Sequence, residues 1–266
     1  MQLEGRRALV TGATGGIGKA IARALHERGA HVLLNGRRTE VLDELVTELG
    51  GQRCEALPAD LASAADVQSL LDRAGRVDVL VANAALPGSG RLDEYSTDEI
   101  QRALDVNLGA PIHLARALVP AMIDRGEGHL VFISSISGKV ASPRGSIYAA
   151  TKFGLRGFAT GLHAELLDQG VGVTTVYPGF ISDAGMWAET GLKLRPGVST
   201  RTPEQVAAGV LKGIETNKSE IDVAPIVLRA GAWAAGVSQS AVQRLQKLGG
   251  GDELAKNMAE GQRAKR

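Results

Sequence analysis

The 266-residue chain is predicted to form one α/β domain, a doubly wound, mainly parallel seven-stranded sheet with helices on both faces. Three observations predict it. Apolar runs of strand length alternate with stretches of helical periodicity, which implies parallel strands joined by crossover helices. A glycine-rich segment, TGATGGIG at residues 11–18, links the first strand candidate to the first helix candidate. The length suits a single repeated-βα domain, since such folds routinely exceed 200 residues.

The first strand candidate is Arg7–Thr11, and it runs into the glycine segment. Glycines at 12, 16 and 18 permit a tight turn, close approach of backbone to a pyrophosphate, and close packing of helix on strand, which is the context of a dinucleotide (Rossmann) fingerprint. Ile17–Glu27 follows as a helix whose N-terminus supplies N–H donors and positive dipole. His31–Asn35 is the second strand candidate. In the next helix, Glu40–Leu49, Val41, Leu42, Leu45, Val46 and Leu49 recur at helical spacing while Glu40, Asp43, Glu44 and Glu48 face away. The strand Gln52–Pro58 precedes the helix Ala64–Ala74, for which Ser63 is the expected N-cap. Strands at Val77–Ala82, His129–Ser134, Val171–Tyr177 and Glu220–Val223 alternate with helices at Asp98–Met122, Tyr148–Leu167 and Pro203–Glu215. In such a sheet the ligand sits at the carboxyl ends of the strands.

Composition narrows the function classes. A net charge of +1 without a basic stripe gives no expectation of nucleic acid as a partner. Cys54 is the single cysteine, so no intrachain disulfide forms and a reducing cytoplasm fits. The N-terminus leads straight into the first strand without a signal-peptide layout, and no apolar run is long enough to span a bilayer. No metal site is expected.

The chemistry-bearing residues cluster by position. Tyr148 and Lys152 in YAATK are four residues apart, on one face of a helix, and present a phenol and an ammonium to the same volume. A lysine cation nearby lowers a phenol's pKa from its ordinary value of about 10, which suits proton transfer at an alcohol or carbonyl oxygen. Taken alone, the spacing equally describes an aromatic on a buried helix edge beside a solvated lysine. Asn83, Ser134, Ser135 and the Pro178–Gly179 turn all follow strand ends. Asn107 lies within a long helix, where asparagine usually faces solvent or makes a local hydrogen bond.

In combination these motifs resemble the short-chain dehydrogenase/reductase family, in its compact Tyr-x-x-x-Lys form, from about Gln2 to Val223. They are TGATGGIG, Ala59-Asp60-Leu61, ANAA at 82–85, Asn107, ISSISG at 133–138, YAATK and YPG at 177–179. The resemblance implies an oxidoreductase in which hydride passes between a nicotinamide and a carbonyl carbon. Ser135 would hydrogen-bond the substrate oxygen, Tyr148 would be the general acid or base, and Lys152 would lower its pKa and hold the nicotinamide ribose. Asn107 would hold a water linking Lys152 to solvent. Neighbours on a strand point to opposite sides, so only one of Ser134 and Ser135 faces the site. The family's spacing to tyrosine favours Ser135.

The cofactor would contact Gly12, Thr14, Gly16, Ile17, Gly18, Asp60, Leu61, Asn83, Tyr148, Lys152, Pro178, Gly179 and Ile181, with Asp60 at the adenine amino group. NAD-binding members carry an aspartate at the end of the second strand. Here Gly36 takes that place and Arg37 and Arg38 follow, so NADP is expected over NAD, with Arg37 the closer contact of its 2′-phosphate. Read without the family, the two arginines simply start a surface helix. The alternative to an NADP-dependent ketone or aldehyde reductase is a non-catalytic NADP-binding sensor or scaffold.

Three positions depart from the family pattern. Ala85 replaces a glycine, and Asp183 stands where many relatives place a threonine that holds the nicotinamide carboxamide; Ser182 is a candidate substitute. The third is the C-terminus. Residues 1–225 form the expected Rossmann domain, with a substrate loop at 180–200, residues 226–250 a helical extension, and residues 251–266 a polar, mobile tail. Trp233, Val237, Val242, Leu245 and Leu248 are anchors for that extension, which packs on its own domain by default; a pocket cover, a dimer contact and a membrane contact are the other options. Met186, Trp187, Leu192 and Leu194 describe either an apolar lid over a ketone or alcohol or core residues under a loop, and Lys193 and Arg195 would suit an anionic substrate. A homodimer or homotetramer is expected from the resemblance.

Overall fold

The computed structural model describes residues 1–188, 199–240 and 251–262. Its seven strands are β1 (Arg7–Val10), β2 (His31–Gly36), β3 (Cys54–Pro58), β4 (Val79–Ala82), β5 (Gly128–Ile133), β6 (Val171–Pro178) and β7 (Glu220–Val223). They pair in parallel, in the order β3-β2-β1-β4-β5-β6-β7. The order reverses between β1 and β4, which opens a crevice at their carboxyl ends.

Strands covered on both faces have no solvent side, which is why they read as unbroken apolar runs. Alternate residues sort into two cores. Ala8, Val10, Val79, Val81 and Val131 lie with residues of α1 (Gly16–Glu27), α2 (Thr39–Glu48) and α8 (Pro203–Thr216). Leu9, Leu80, Leu130 and Phe132 lie with α3 (Ala64–Ala74), α5 (Ala110–Arg125) and α6 (Ser146–Leu166). Ser63 caps α3 as expected, accepting a hydrogen bond from the Asp66 amide at 3.2 Å.

The helix expected over 98–122 is longer and not uniform. It comprises α4 (Thr97–Leu104), a π-helical turn at Asp105–Gly109, and α5. Contrary to the expectation that nothing here is long and apolar enough to cross a bilayer, Thr97–Arg125 passes by length and composition. Its apolar side is occupied, because Ala110, Leu114, Ala115, Leu118 and Met122 are packed in the second core. That is how a central helix of a doubly covered sheet reads.

Beyond β7, α9 (Ile226–Val237) buries Ala232 and Ala235 against Val140 and exposes Ile226, Val227, Trp233 and Val237. Trp233 and Val237 are therefore not anchors within the described domain. Val242, Leu245 and Leu248 lie outside the described residues, as do Leu192, Lys193, Leu194, Arg195 and the Trp187 side chain. The segment expected to be a polar, mobile tail is helical over Gly251–Gln262, designated α10. Ala259 and Gln262 are buried, and Gln262 Nε2 donates to the Met186 carbonyl at 3.1 Å. A short helix, α7 (Gly185–Ala188), carries that carbonyl.

At the opposite end of the sheet, His129 is buried, with Nε2 2.9 Å from Thr174 Oγ1. Thr174 gives its own proton to the Lys218 carbonyl at 2.7 Å, so the histidine must be the donor and carries its proton on Nε2. Burial pushes its pKa down to about 3, helped by the positive N-terminus and His163. With the folded pKa below the unfolded one, the unfolded chain binds the extra proton. This contribution is intact above the unfolded pKa of about 6.5 and is lost as pH falls toward the folded value. Between about pH 7 and pH 5 the loss amounts to about 2 kcal/mol, and denaturant titrations of His129→Gln should show a correspondingly flatter pH dependence. An unchanged slope would mean that the ring is solvated.

Candidate active site

The glycine segment closes the end of β1 onto that of β4. Gly12 has φ +66°, where a Cβ is strained, and a Cβ there would also come within 2.8 Å of Ala84 Cα. Thr11 Oγ1 accepts the amides of Asn83 and Ala84 at 3.0 and 3.1 Å. In return Asn83 Nδ2 donates to the carbonyls of Thr11 and Gly12 at 2.9 and 3.2 Å. Asn83 therefore serves the turn with its side chain.

At Gly18 a Cβ would run into the Gly12 carbonyl, so only glycine lets α1 start this close to the strand. The N-terminus of α1 has no side-chain cap and no acidic residue in its first turn. Its free N–H groups and positive dipole, fronted by glycines, fit a pyrophosphate. Ala184 packs directly on Gly16, and Gly185 (φ +83°) lies beside Ile17, so the loop after β6 rests on this cradle.

The adenosine end has its own charge pattern. A Cβ at Gly36 would lie 2.7 Å from Thr14 Cγ2, so a side chain there would require Thr14 to shift. Arg38 Nη2 donates to the Thr14 carbonyl at 3.1 Å, while Arg37 is exposed. Asp60 accepts from the Ala62 amide at 3.0 Å and from Arg102 Nη2 at 2.8 Å. Burial pushes its carboxyl up, but the Arg102 and Ala62 bonds and the nearby Arg37 outweigh that and hold it below the ordinary aspartate range. Arg102, on α4, is a contributor that sequence reasoning missed. Leu61 is buried beside Asp60 in the second core.

Ser135, Tyr148 and Lys152 converge as expected. The Ser134 hydroxyl is committed to the backbone of α6, donating to the Lys152 carbonyl at 3.2 Å. Ser135 Oγ accepts from the Ser137 amide at 3.1 Å and hydrogen-bonds Tyr148. Lys152 is buried, with Nζ donating to the Ile133 carbonyl at 2.8 Å and lying 5.6 Å from the Tyr148 ring centre.

The expected depression of the Tyr148 pKa is not found in the chain by itself. Burial raises the phenol to about 12, against the opposing pull of the Ser135 hydrogen bond. Burial likewise lowers Lys152, to about 8. The ammonium is turned to the Ile133 carbonyl, and desolvation of both groups dominates.

Asn107 falls in the π turn and is buried. Its Oδ1 accepts the Leu86 amide at 2.7 Å, and its Nδ2 donates to the Leu86 carbonyl at 2.9 Å and to Thr151 Oγ1 at 3.5 Å. The Asn107 side chain is thus committed to the loop after β4 and to the residue preceding Lys152. π turns gather at functional positions because they aim a side chain that a regular helix would turn elsewhere.

After β6, Pro178 ends the strand and the Gly179 amide donates to the Val223 carbonyl at 3.0 Å. Ile181 is buried and bridges to Arg201. The Ser182 hydroxyl, the candidate substitute for the missing threonine, donates to the Arg201 carbonyl at 3.3 Å. Asp183 is exposed in a left-handed conformation, φ +63°.

Comparison with known proteins fits this arrangement. The family model for short chain dehydrogenases matches residues 6–194. The chain belongs to the short-chain dehydrogenase/reductase family. It is similar to the ketoacyl reductase HetN of Nostoc sp., 34% identical over 227 residues that cover 83% of this chain and 79% of the relative. Among solved structures, a short-chain dehydrogenase from Sphingobium yanoikuyae in complex with NADPH superimposes with a TM-score of 0.77. It is 28% identical, with 91% of this chain and 95% of that one covered. A metagenomic short-chain oxidoreductase in complex with NADP has a TM-score of 0.69 and 34% identity, with 85% and 99% covered. This short-chain dehydrogenase/reductase is accordingly an oxidoreductase that acts on CH–OH and C=O groups with a nicotinamide cofactor.

Proposed function

We propose that the chain is an NADP(H)-dependent reductase of ketones or aldehydes, with Tyr148 as the proton donor. The observation that carries this reading is the convergence of Ser135, Tyr148 and Lys152 past the carboxyl end of β5, on the side of the sheet where the uncapped α1 also starts. A nicotinamide bound there supplies the hydride. Ser135 hydrogen-bonds the carbonyl oxygen, and Tyr148 Oη delivers its proton to that oxygen as the alcohol forms. Lys152, desolvated and beside the phenol, holds positive charge near the developing phenolate. Burial keeps the phenol protonated at neutral pH, the form that a reduction needs. Reduction also accords with the name of the Nostoc relative.

Preference for NADP rests on Gly36, which supplies no carboxylate to repel a phosphate, and on Arg37 and Arg38 beside it. Arg38 is tied to the Thr14 carbonyl, so Arg37 is the guanidinium left to meet a 2′-phosphate. Replacing Arg37 with alanine should weaken NADPH binding roughly tenfold or more while leaving NADH binding nearly unchanged, the loss of one charge-assisted contact. Equal losses for both cofactors, followed by nicotinamide fluorescence, would overturn the assignment. The same titration, extended to a panel of ketones and aldehydes, tests the function. Oxidation of bound NADPH by a panel member supports a reductase, whereas tight binding without turnover would favour a sensor. The reading includes a homo-oligomer in a reducing cytoplasm, in keeping with the half-buried free thiol of Cys54.

A further inference from the structure

Outside the site, a cluster of charged groups lies where β7 forms one edge of the sheet. Glu220 and Asp222, two apart on that strand, point to the same side. Lys139 Nζ donates to Asp222 Oδ1 at 2.7 Å and Glu220 Oε2 at 3.0 Å, and it lies 3.8 Å over the Tyr177 ring. Tyr177 Oη donates to Glu220 Oε1 at 2.8 Å, and Arg156 Nε donates to the same oxygen at 3.3 Å. Arg229 of α9 pairs with Asp222 at 3.7 Å. Burial alone would raise Glu220, but the Lys139 and Tyr177 bonds prevail and hold it below the ordinary glutamate range.

These residues belong to elements that carry the chemistry. Lys139 immediately follows the 3-10 turn Ile136–Gly138, which is closed directly on Ser135: the Gly138 amide donates to the Ser135 carbonyl at 2.8 Å and the Ser137 amide to its Oγ at 3.1 Å. Arg156 is one helical turn beyond Lys152 on α6, and Tyr177 immediately precedes Pro178. On its other side the turn is pressed against α6, since a Cβ at Gly138 would lie 2.8 Å from the Lys152 carbonyl. The serine turn is therefore wedged between the catalytic helix and the edge strand. Lys139, whose side chain is only 12% exposed, pins the outer side.

We propose that Lys139 is a positioning residue for carbonyl reduction: anchored on Glu220 and Asp222, it holds the turn, and with it the Ser135 hydroxyl, in place against Tyr148. This rests on the reading of Ser135 and Tyr148 as the groups that meet the carbonyl oxygen. The Lys139 ammonium is taken up by Glu220, Asp222 and the Tyr177 ring, so its loss acts on rate through geometry. Small misplacements of a reacting group cost about 10-fold to 100-fold in rate.

The test compares Lys139→Met, which keeps an aliphatic chain over the Tyr177 ring, with Lys139→Arg, which restores the charge. In Lys139→Met, kcat for an accepted carbonyl should fall about 10-fold or more, with the NADPH dissociation constant within about twofold of the parent. Amide exchange of the 134–140 peptide, read by mass spectrometry, should accelerate about 10-fold while the α1 and β1 peptides stay unchanged. Lys139→Arg should recover most of both effects. Parental exchange in Lys139→Met overturns the proposal, and so does a fall in rate that merely tracks lost NADPH affinity and melting temperature. If the parent chain reduces no carbonyl, the reductase reading fails separately, and the exchange comparison still decides whether Lys139 holds the turn.

Discussion

Tyr148→Phe is expected to bind NADPH as the parent does and to reduce carbonyls roughly 10²–10⁴-fold more slowly, the usual contribution of a positioned general acid. The substitution removes one oxygen and leaves the ring on α6. Ser135 keeps its acceptor role to the Ser137 amide, so the turn after β5 should survive. Lys152 keeps its bond to the Ile133 carbonyl. What disappears is the only hydroxyl in the cluster that combines helical anchoring, proximity to the lysine and a hydrogen bond to Ser135. Parallel measurement of the NADPH dissociation constant and single-turnover rate separates binding from chemistry. A variant that turned over at the parental rate would remove Tyr148 from the mechanism.

Gly18→Ala should be the most damaging single methyl addition in the cofactor cradle. A Cβ at Gly18 meets the Gly12 carbonyl and, at 2.8 Å, Ala13 Cα, both backbone and both unable to yield without moving β1 against α1. Overpacking of this kind costs about 1–3 kcal/mol of stability. Because the N–H groups of the same helix end must face the pyrophosphate, NADPH affinity should fall at least about tenfold as well. Gly15→Ala is the control. Its Cβ would have only the Gly12 carbonyl nearby, at 3.5 Å, an ordinary contact, so affinity and melting temperature should stay near parental values. If both variants bound NADPH equally well, close approach of helix to strand would not be what the third glycine provides.

Features carried by periodicity and local spacing were legible in the chain alone. All seven strands were: the five inner ones read as largely apolar runs bounded by turn residues, and the edge strands β3 and β7 as mixed runs in the alternating strand–helix order. The Ser63 cap followed from local spacing, whereas strand alternation said only that one of Ser134 and Ser135 faces the site and the preference for Ser135 came from the family resemblance. What escaped depends on contacts between distant segments. Nothing in the sequence near Asp60 announces Arg102, 42 residues away, which occupies its carboxylate. The edge-strand cluster joins Lys139 to partners 81 and 83 residues downstream. The ionisation of Tyr148 was misjudged because spacing puts a lysine nearby but says nothing of the desolvation that raises the phenol, which outweighs their proximity. A polar composition at the C-terminus pointed to a mobile tail, although Ala259 and Gln262 of α10 are buried.

The π turn at Asp105–Gly109 gives the helix from Thr97 to Arg125 one residue more than a regular spiral needs at that point. Each residue advances an α-helix by about 100°, so the segments on either side of the turn are set to different azimuths. The first directs Arg102 toward Asp60, and the second lays Leu114, Leu118 and Met122 into the sheet. Two jobs on opposite flanks of one rod are thereby reconciled without a break in the chain. The cost is intolerance of miscounting: losing one residue anywhere in the turn would swing one flank out of phase with the other.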